Sequence, residues 1–405
     1  MQNYLKMAYR NLGRNRRRSL LSALALSIGL ALLLFIAAFY EGEMRSSMES
    51  TLRLDSGHIQ IRSIDYDPDK LSVAWEYLIE NPEQVARQLE ALEQVQVATP
   101  RLVASGIVSV GDESSGVQIL GVEPDSSAND PYRQGLVEGK FLEADDREGI
   151  LVGQPLAKNL GLGAGDQLNL LVNTSDGSVD EQSFIVRGIF TTGVTTYDKG
   201  MVLLPLAKAQ AFSDAENHAS FIFVLLKDRE QTEAVAAALQ SPNYQVETWQ
   251  ELNEILVLME DFSNAYLMIL NLIVMGVTAT VIVNTLVMAV FERTREIGIL
   301  AAIGMKGRQV VALFLVEAGL LALGGLTFGI LLGWGVSAYY GKVGMYFGDL
   351  GLSGIYLGDR IYTYLTLQDT INLTILSLVI TLLASLYPAR LAARMEPVEA
   401  LHGKN

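Results

Sequence analysis

Cysteine is absent from all 405 residues, which excludes disulfides, thiol catalysis and cysteine-ligated metal while leaving the compartment open. Histidine is nearly absent: His58, His218 and His402 are scattered, and no metal cluster or Ser/His/Asp constellation can be assembled around them. A phosphate-cradling loop of the form GxxxxGK[ST] is also missing. The closest approach, GLVEGKF at residues 135–141, is one residue short and ends in phenylalanine. The chain does not bind ATP by that device.

Charge is missing from long windows. Residues 19–40, 262–291 and 370–389 carry none, and residues 309–341 carry only Glu317. Each is long enough to cross a bilayer core of about 30 Å as a helix. With 50% hydrophobic residues, the chain is expected to be an α-helical membrane protein with four transmembrane helices and a large aqueous part. The first apolar run is longer than the ~7–15 residues of a cleaved signal, so it reads as an uncleaved anchor.

What charge there is sorts by segment. Residues 1–18 hold six Lys/Arg and no acid, residues 292–308 hold four against two, and residues 390–405 hold three against two. Positive flanks stay in the cytoplasm, which puts both termini and the 292–308 loop on the inner side. The remaining polar sequence holds 17 Lys/Arg and 40 acids. The net charge of −15 therefore conceals a basic inner face and an acidic outer part, whose acidity serves solubility rather than nucleic acid or a specific cation.

Along the chain, residues 1–18 place Tyr4, Leu5, Ala8 and Leu12 at helical spacing apart from Lys6, Arg10 and Arg14. That pattern suits an amphipathic helix at the inner surface, or a plain extension of the first span. Residues 41–261 change to α+β character, a domain inserted between helices one and two. Strands are expected at 58–62, 103–110, 117–122, 167–172, 183–190, 201–204 and 221–226. Helices are expected at 82–95, 154–160, 205–212 and 230–239. An inserted β-rich part lies roughly between Pro100 and Ser213. The helical pattern resumes through Trp249, Leu252, Ile255, Leu256 and Met259, so the second span should extend outward as a stalk. Residues 41–54 could do the same after the first span, weakened by Gly42. Residues 342–369 form a second outer loop.

Four further features stand out. Gly325, Gly329, Gly333 and Ser337 recur every fourth residue of the third span, a spacing that lets another helix approach closely. Glu317 is either a functional intramembrane carboxylate or a structural one that reaches the interface or pairs with a nearby arginine. Asn284, late in the second span, reads as a structural amide bonded to a neighbouring helix. Asp65, Asp67, Asp69 and Glu76 sit at calcium-loop spacing, but Lys70 replaces the required glycine and Pro68 stiffens the loop. A solvated acidic loop is the reading there.

Three motifs go further: AYRNLGRNRRRSLLSALALSIG at residues 8–29, NTLVMAVFERTREIGILAAIGMKGRQVVALFLVEA at 284–318 and YPARLAARMEPVEALH at 387–402. With GILVGQPLAKNLGLGAGDQLNLL at 149–171 and FIVRGIF at 184–190, the chain resembles permease subunits of the MacB/FtsX-like ABC transporter family, which includes the lipoprotein-releasing LolC and LolE. The resemblance implies a multi-pass protein of the bacterial inner membrane. It also implies that ATP and Mg2+ are held by a separate ABC ATPase dimer, with no cofactor in this chain. A second permease copy, identical or paralogous, and a lipid or lipoprotein substrate are implied as partners, together with a periplasmic acceptor protein. Coupling would be mechanical, and the ATPase would dock on Arg293, Arg295, Glu296, Ile297, Gly298, Ile299, Leu300, Ala301 and Ala302, with Gly298, Gly304 and Gly307 shaping the helix ends. An ordinary short connector is the plainer alternative.

Overall fold

The computed structural model describes residues 2–14, 16–67, 73–347 and 358–395. The chain divides into two compact units, one of Met1–Met44, Glu260–Met345 and Ile361–Asn405, the other of Arg45–Met259 and Tyr346–Arg360.

The first unit is helical. Among the described residues four helices are long and apolar enough to cross a membrane: Arg16–Ser56, Ala265–Glu292, Gly307–Val343 and Leu367–Ala393. Uncharged runs of this length become helices because hydrocarbon offers no partner for backbone N–H and C=O groups, and a helix satisfies them internally. The first helix runs without interruption from Arg16 to Thr51 and widens into a π-turn at Leu52–Ser56. Gly42 does not weaken it. A Cβ at that position would stand 1.9 Å from the Tyr362 carbonyl oxygen, so glycine is what allows the segment before the fourth helix to come so close. Next to it, the Tyr364 N–H donates to the Ala38 carbonyl oxygen at 2.7 Å.

The four-residue repeat of the third long helix faces the first. Added Cβ atoms at Gly325, Gly329 and Gly333 would lie 2.9, 2.9 and 2.8 Å from Ala23 O, Ser27 O and Leu34 Cδ1. Gly324 and Gly335, off the stripe, would meet nothing within 4 Å. Ser337 continues the row, and its carbonyl accepts the Thr363 hydroxyl at 2.6 Å. Leu26, Leu30, Leu33 and Leu34 fill the space around this contact with Ala322, Leu326 and Met275.

The second unit is α+β, built on a ten-stranded sheet. Its spine is the strand Val95–Val110, which pairs with Phe221–Leu226 in its first half and with Glu113–Val122 and Gln167–Asn173 in its second. Two cores result. Ile59, Ile61, Ile222, Val224 and Val246 are covered by the helices Pro82–Glu90 and Thr232–Leu239. Val108, Ile150, Val152, Leu170, Phe184 and Val202 form the larger core, covered by the helices Gln154–Leu160 and Leu206–Phe212.

Three expectations need amending. The α+β unit is not a plain insertion between the first two long helices, because Tyr346–Arg360, from between the third and fourth, belongs to it. The expected helix from Pro82 to Val95 stops at Glu90, since Val95 opens the spine strand and its side chain is needed in the core. The expected continuous stalk is also interrupted. Gln245–Thr248 is a strand, and Thr248 caps a short turn Trp249–Leu252 with a capping box to Glu251. The long helix Glu254–Glu292 then starts after Asn253.

Candidate functional site

The interval between the second and third long helices folds as a nine-residue helix, Thr294–Ala302. The Gly304 φ of 100° ends this turn of chain, and Lys306 caps the third long helix from Gly307. One face of the short helix is anchored. Ile297 and Gly298 are buried, and Ile297 packs with Val290, Val310, Phe314, Ala389 and Ala392 from the ends of the three neighbouring long helices. Gly298 thus lies mid-helix against this core rather than shaping an end. The opposite face is open: Arg295, Glu296 and Ala302 are exposed, with Ile299 43% and Ile303 80% accessible. Leu300 and Ala301 are half-buried at the flanks.

Arg293 behaves differently from its neighbours. Its side chain is buried, and its Nη1 donates to both carboxylate oxygens of Glu317 at 3.3 Å. Nη2 donates to the Asn11 carbonyl oxygen of the N-terminal helix Gln2–Arg14 at 3.0 Å. Of the two alternatives for Glu317, the geometry is that of the arginine partner. One guanidinium therefore joins the start of the short helix, the third long helix and the N-terminal helix, and its planar fork suits three acceptors better than an ammonium would. Two outer ion pairs repeat the connection, Arg14 with Glu296 and Arg18 with Glu292. These are exposed and individually weak.

A second cluster sits in the α+β unit, where the first long helix ends. The π-turn leaves the Leu54 carbonyl without a helical partner, and Arg101 Nη1 donates to it at 3.1 Å. The hydroxyls of Tyr132 and Tyr197, 2.5 Å from one another, approach the same oxygen. Arg101 is 1% accessible and lies 3.7 Å from the centroid of the Phe223 ring. Nearby, Asp198 is fully buried and accepts from Thr191 Oγ1, Thr192 N and Thr192 Oγ1 at 2.8, 2.9 and 2.7 Å. Burial pushes its carboxyl up to about 6, against the lowering effect of these donors, and the Asp359 charge adds to the rise. Asp359 accepts in turn from Thr195 N and Oγ1 at 3.1 and 2.7 Å, which joins residues 358–360 to the unit.

Sequence reasoning missed this second cluster. A lone arginine inside the apolar strand TPRLVASGIV was the available signal; Asp198 and Asp359 offered none. Among the described residues no group of His, Asp and Glu could hold a metal ion. Asp69, Lys70 and Pro68 of the acidic loop, and His402 with the end of the third motif, lie outside the described residues.

Four helices long and apolar enough to cross a membrane, joined to an α+β unit, are the architecture of a polytopic membrane protein. Residues 19–241 match the MacB-like periplasmic core domain and residues 268–397 the FtsX-like permease C-terminal domain. The chain is 25% identical to the lipoprotein-releasing system transmembrane protein LolC of Neisseria meningitidis over 95% of its length and 93% of that protein. It is 25% identical to LolE of Haemophilus influenzae, over 94% and 93%. A probable export ATP-binding/permease protein MacB of Pseudomonas entomophila is 27% identical over 98% of this chain and 58% of that protein. The chain belongs to the MacB/FtsX-like family of ABC transporter permeases, as a multi-pass protein of the inner membrane.

Proposed function

We propose that this chain is a permease subunit working by mechanotransmission, in which ATP hydrolysis on a separate ABC ATPase dimer moves the α+β unit on the other side of the membrane. The observation that carries this reading is the short helix Thr294–Ala302, anchored on one face by Ile297 and open on the other at Arg295, Ile299 and Ile303. The ATPase docks on the open face. Arg293, Ile297 and Gly298 transmit the push inward rather than touching the ATPase, since their side chains or Cα lie in the packed interior.

In this reading both termini and the short helix are cytoplasmic, following the basic segments. The α+β domain, inserted chiefly between helices one and two, is extracytoplasmic. A second permease copy, the same or a paralogue, completes the assembly. The substrate is a lipoprotein or related amphiphile, which the full-length similarity to LolC and LolE supports. The second long helix presents Phe262, Tyr266, Ile269, Ile273 and Val277 outward, a surface suited to acyl chains or to the second copy. Export of a peptide or drug is the second reading, favoured by the similarity to MacB.

Isolation of the native complex tests the reading. An ATPase subunit together with lipid-modified protein is the expected composition. A bound cell-wall hydrolase without lipid would replace lipoprotein release with regulation, and a chain that isolates with no ATPase would end the proposal.

A further inference from the structure

Carboxylates outnumber Lys/Arg 40 to 17 in the polar sequence outside the three basic inner segments, yet four of those 17 cations line one groove. Arg45 comes from the first long helix, Arg53 from its π-turn, and Lys227 and Arg229 follow the strand Phe221–Leu226. The groove encloses about 570 Å3, enough for a substituted phosphate rather than a single small ion.

The two acids on its walls are already engaged. Glu49 pairs with Arg53 at 3.0 Å, and Asp130 pairs with Arg133, outside the groove, at 2.7 Å. Lys227 and Arg229 meet neutral acceptors instead. Lys227 Nζ donates to the Glu93 carbonyl oxygen at 2.7 Å, and Arg229 Nη1 to the Met48 thioether. His58 reports the resulting field: burial, and then the charge of Arg229, holds its imidazole down to about 4. Its Nδ1 accepts the Leu226 N–H at 2.8 Å, so the neutral ring carries its proton on Nε2 and adds a donor to the groove.

We infer that this groove is a phosphate-binding site, taking the phosphodiester of an anionic phospholipid headgroup or a free phosphate. Guanidinium forks match phosphate oxygens two at a time, and the lysine supplies a point charge. Position favours the lipid source. Arg45 lies five residues beyond Tyr40, the last residue of the uncharged run, or about 7.5 Å along the same helix. The headgroup layer is about 5–8 Å deep on each side of the core. This positional step rests on the reading that the first long helix crosses the bilayer, whereas the charge argument stands without it.

The test uses the full chain. Wild type and Lys227→Gln/Arg229→Gln are extracted into detergent from membranes containing phosphatidylglycerol and phosphatidylcholine, and retained lipid is read by native mass spectrometry. Inorganic phosphate is titrated in parallel against chloride at equal ionic strength. Wild type should retain the anionic lipid preferentially, and the double variant should bind it about tenfold less tightly, a change of about 1.4 kcal/mol. If lipid retention shows no preference but inorganic phosphate binds wild type and not the variant, the site stands with free phosphate as its ligand. Arg229→Lys, which keeps the charge, should retain part of the binding, and the His58 resonance should titrate higher in Arg229→Gln. Those two readouts separate loss of the site from misfolding. No binding of either probe, or equal binding in the double variant, would overturn the proposal.

Discussion

Arg101 Nη1 and the Leu54 carbonyl oxygen stand 3.1 Å apart, a hydrogen bond that ties the end of the first long helix to the spine strand of the α+β unit. A helix that crosses a membrane and ends in an orphan carbonyl is a rod with a loose tip. Arg101, Tyr132 and Tyr197 together supply that carbonyl with donors inside the α+β unit.

Arg101→Met keeps the bulk and removes the guanidinium donors to Leu54 O and Ala128 O, leaving Leu54 O only the longer Tyr132 and Tyr197 hydroxyl contacts. A loss of about 1–3 kcal/mol is expected, two buried carbonyls losing their charged donor. Arg101→Lys should recover only part of it, because one ammonium cannot reach both Leu54 O and Ala128 O. Thermal unfolding of the detergent-solubilised chain measures both.

The Arg293–Glu317 pair predicts an asymmetry. Arg293→Met or Glu317→Leu alone leaves an uncompensated buried charge and should destabilise by about 3–5 kcal/mol, while the double substitution should be far milder. A double-mutant cycle on unfolding gives the coupling directly. A single variant as stable as wild type would mean that the pair is not closed.

Gly329→Leu should destabilise by about 1–3 kcal/mol or more through overpacking, since its Cβ would meet Ser27 O at 2.9 Å. Gly335→Leu, with nothing within 4 Å of its Cβ, is the matched control and should be near neutral. Equal effects at the two sites would dissociate the stripe from the packing of the first and third helices.

Asp198 predicts a pH dependence. Its folded-state value of about 6 lies above the ordinary 3.8, so the native state binds more protons between those limits. Linkage then requires stability to fall as pH rises from about 4 to about 6. Asp198→Asn should flatten that slope, measured by denaturant unfolding across the range. A slope of opposite sign that persists in the variant would assign it elsewhere.

The long helices of this fold were legible because hydrocarbon imposes one rule, that long uncharged runs become helices, and the runs 19–40, 262–291, 309–341 and 370–389 each fall inside one long helix. The strands Val117, Gln167, Ser183 and Phe221 begin or pass through were legible from alternation or apolar runs. Gly149–Gly153 was not, because its apolar run is only Ile150, Leu151 and Val152 between two glycines, fully buried and without alternation. The short helix was legible as a charged interval between spans. That Arg293 turns inward while Arg295 stays out was not, since the choice depends on Glu317 and Asn11, which meet Arg293 only in the folded chain. Asp359 illustrates the same limit across 164 residues: its contact with Thr195 leaves no mark on local sequence.

The absence of cysteine makes the decisive measurement accessible. Asp176→Cys places a single spin label on an exposed turn of the α+β unit, and pulsed dipolar spectroscopy then reads the separation of two copies in the assembled complex with its ATPase. ATP should change that separation in wild type. With charge reversal at Arg295 and Glu296, or with Gly298→Pro, the complex should still assemble and hydrolyse ATP while the separation stays fixed. Full ATP-driven movement in those variants would contradict the assignment of Thr294–Ala302 as the point where force enters the permease.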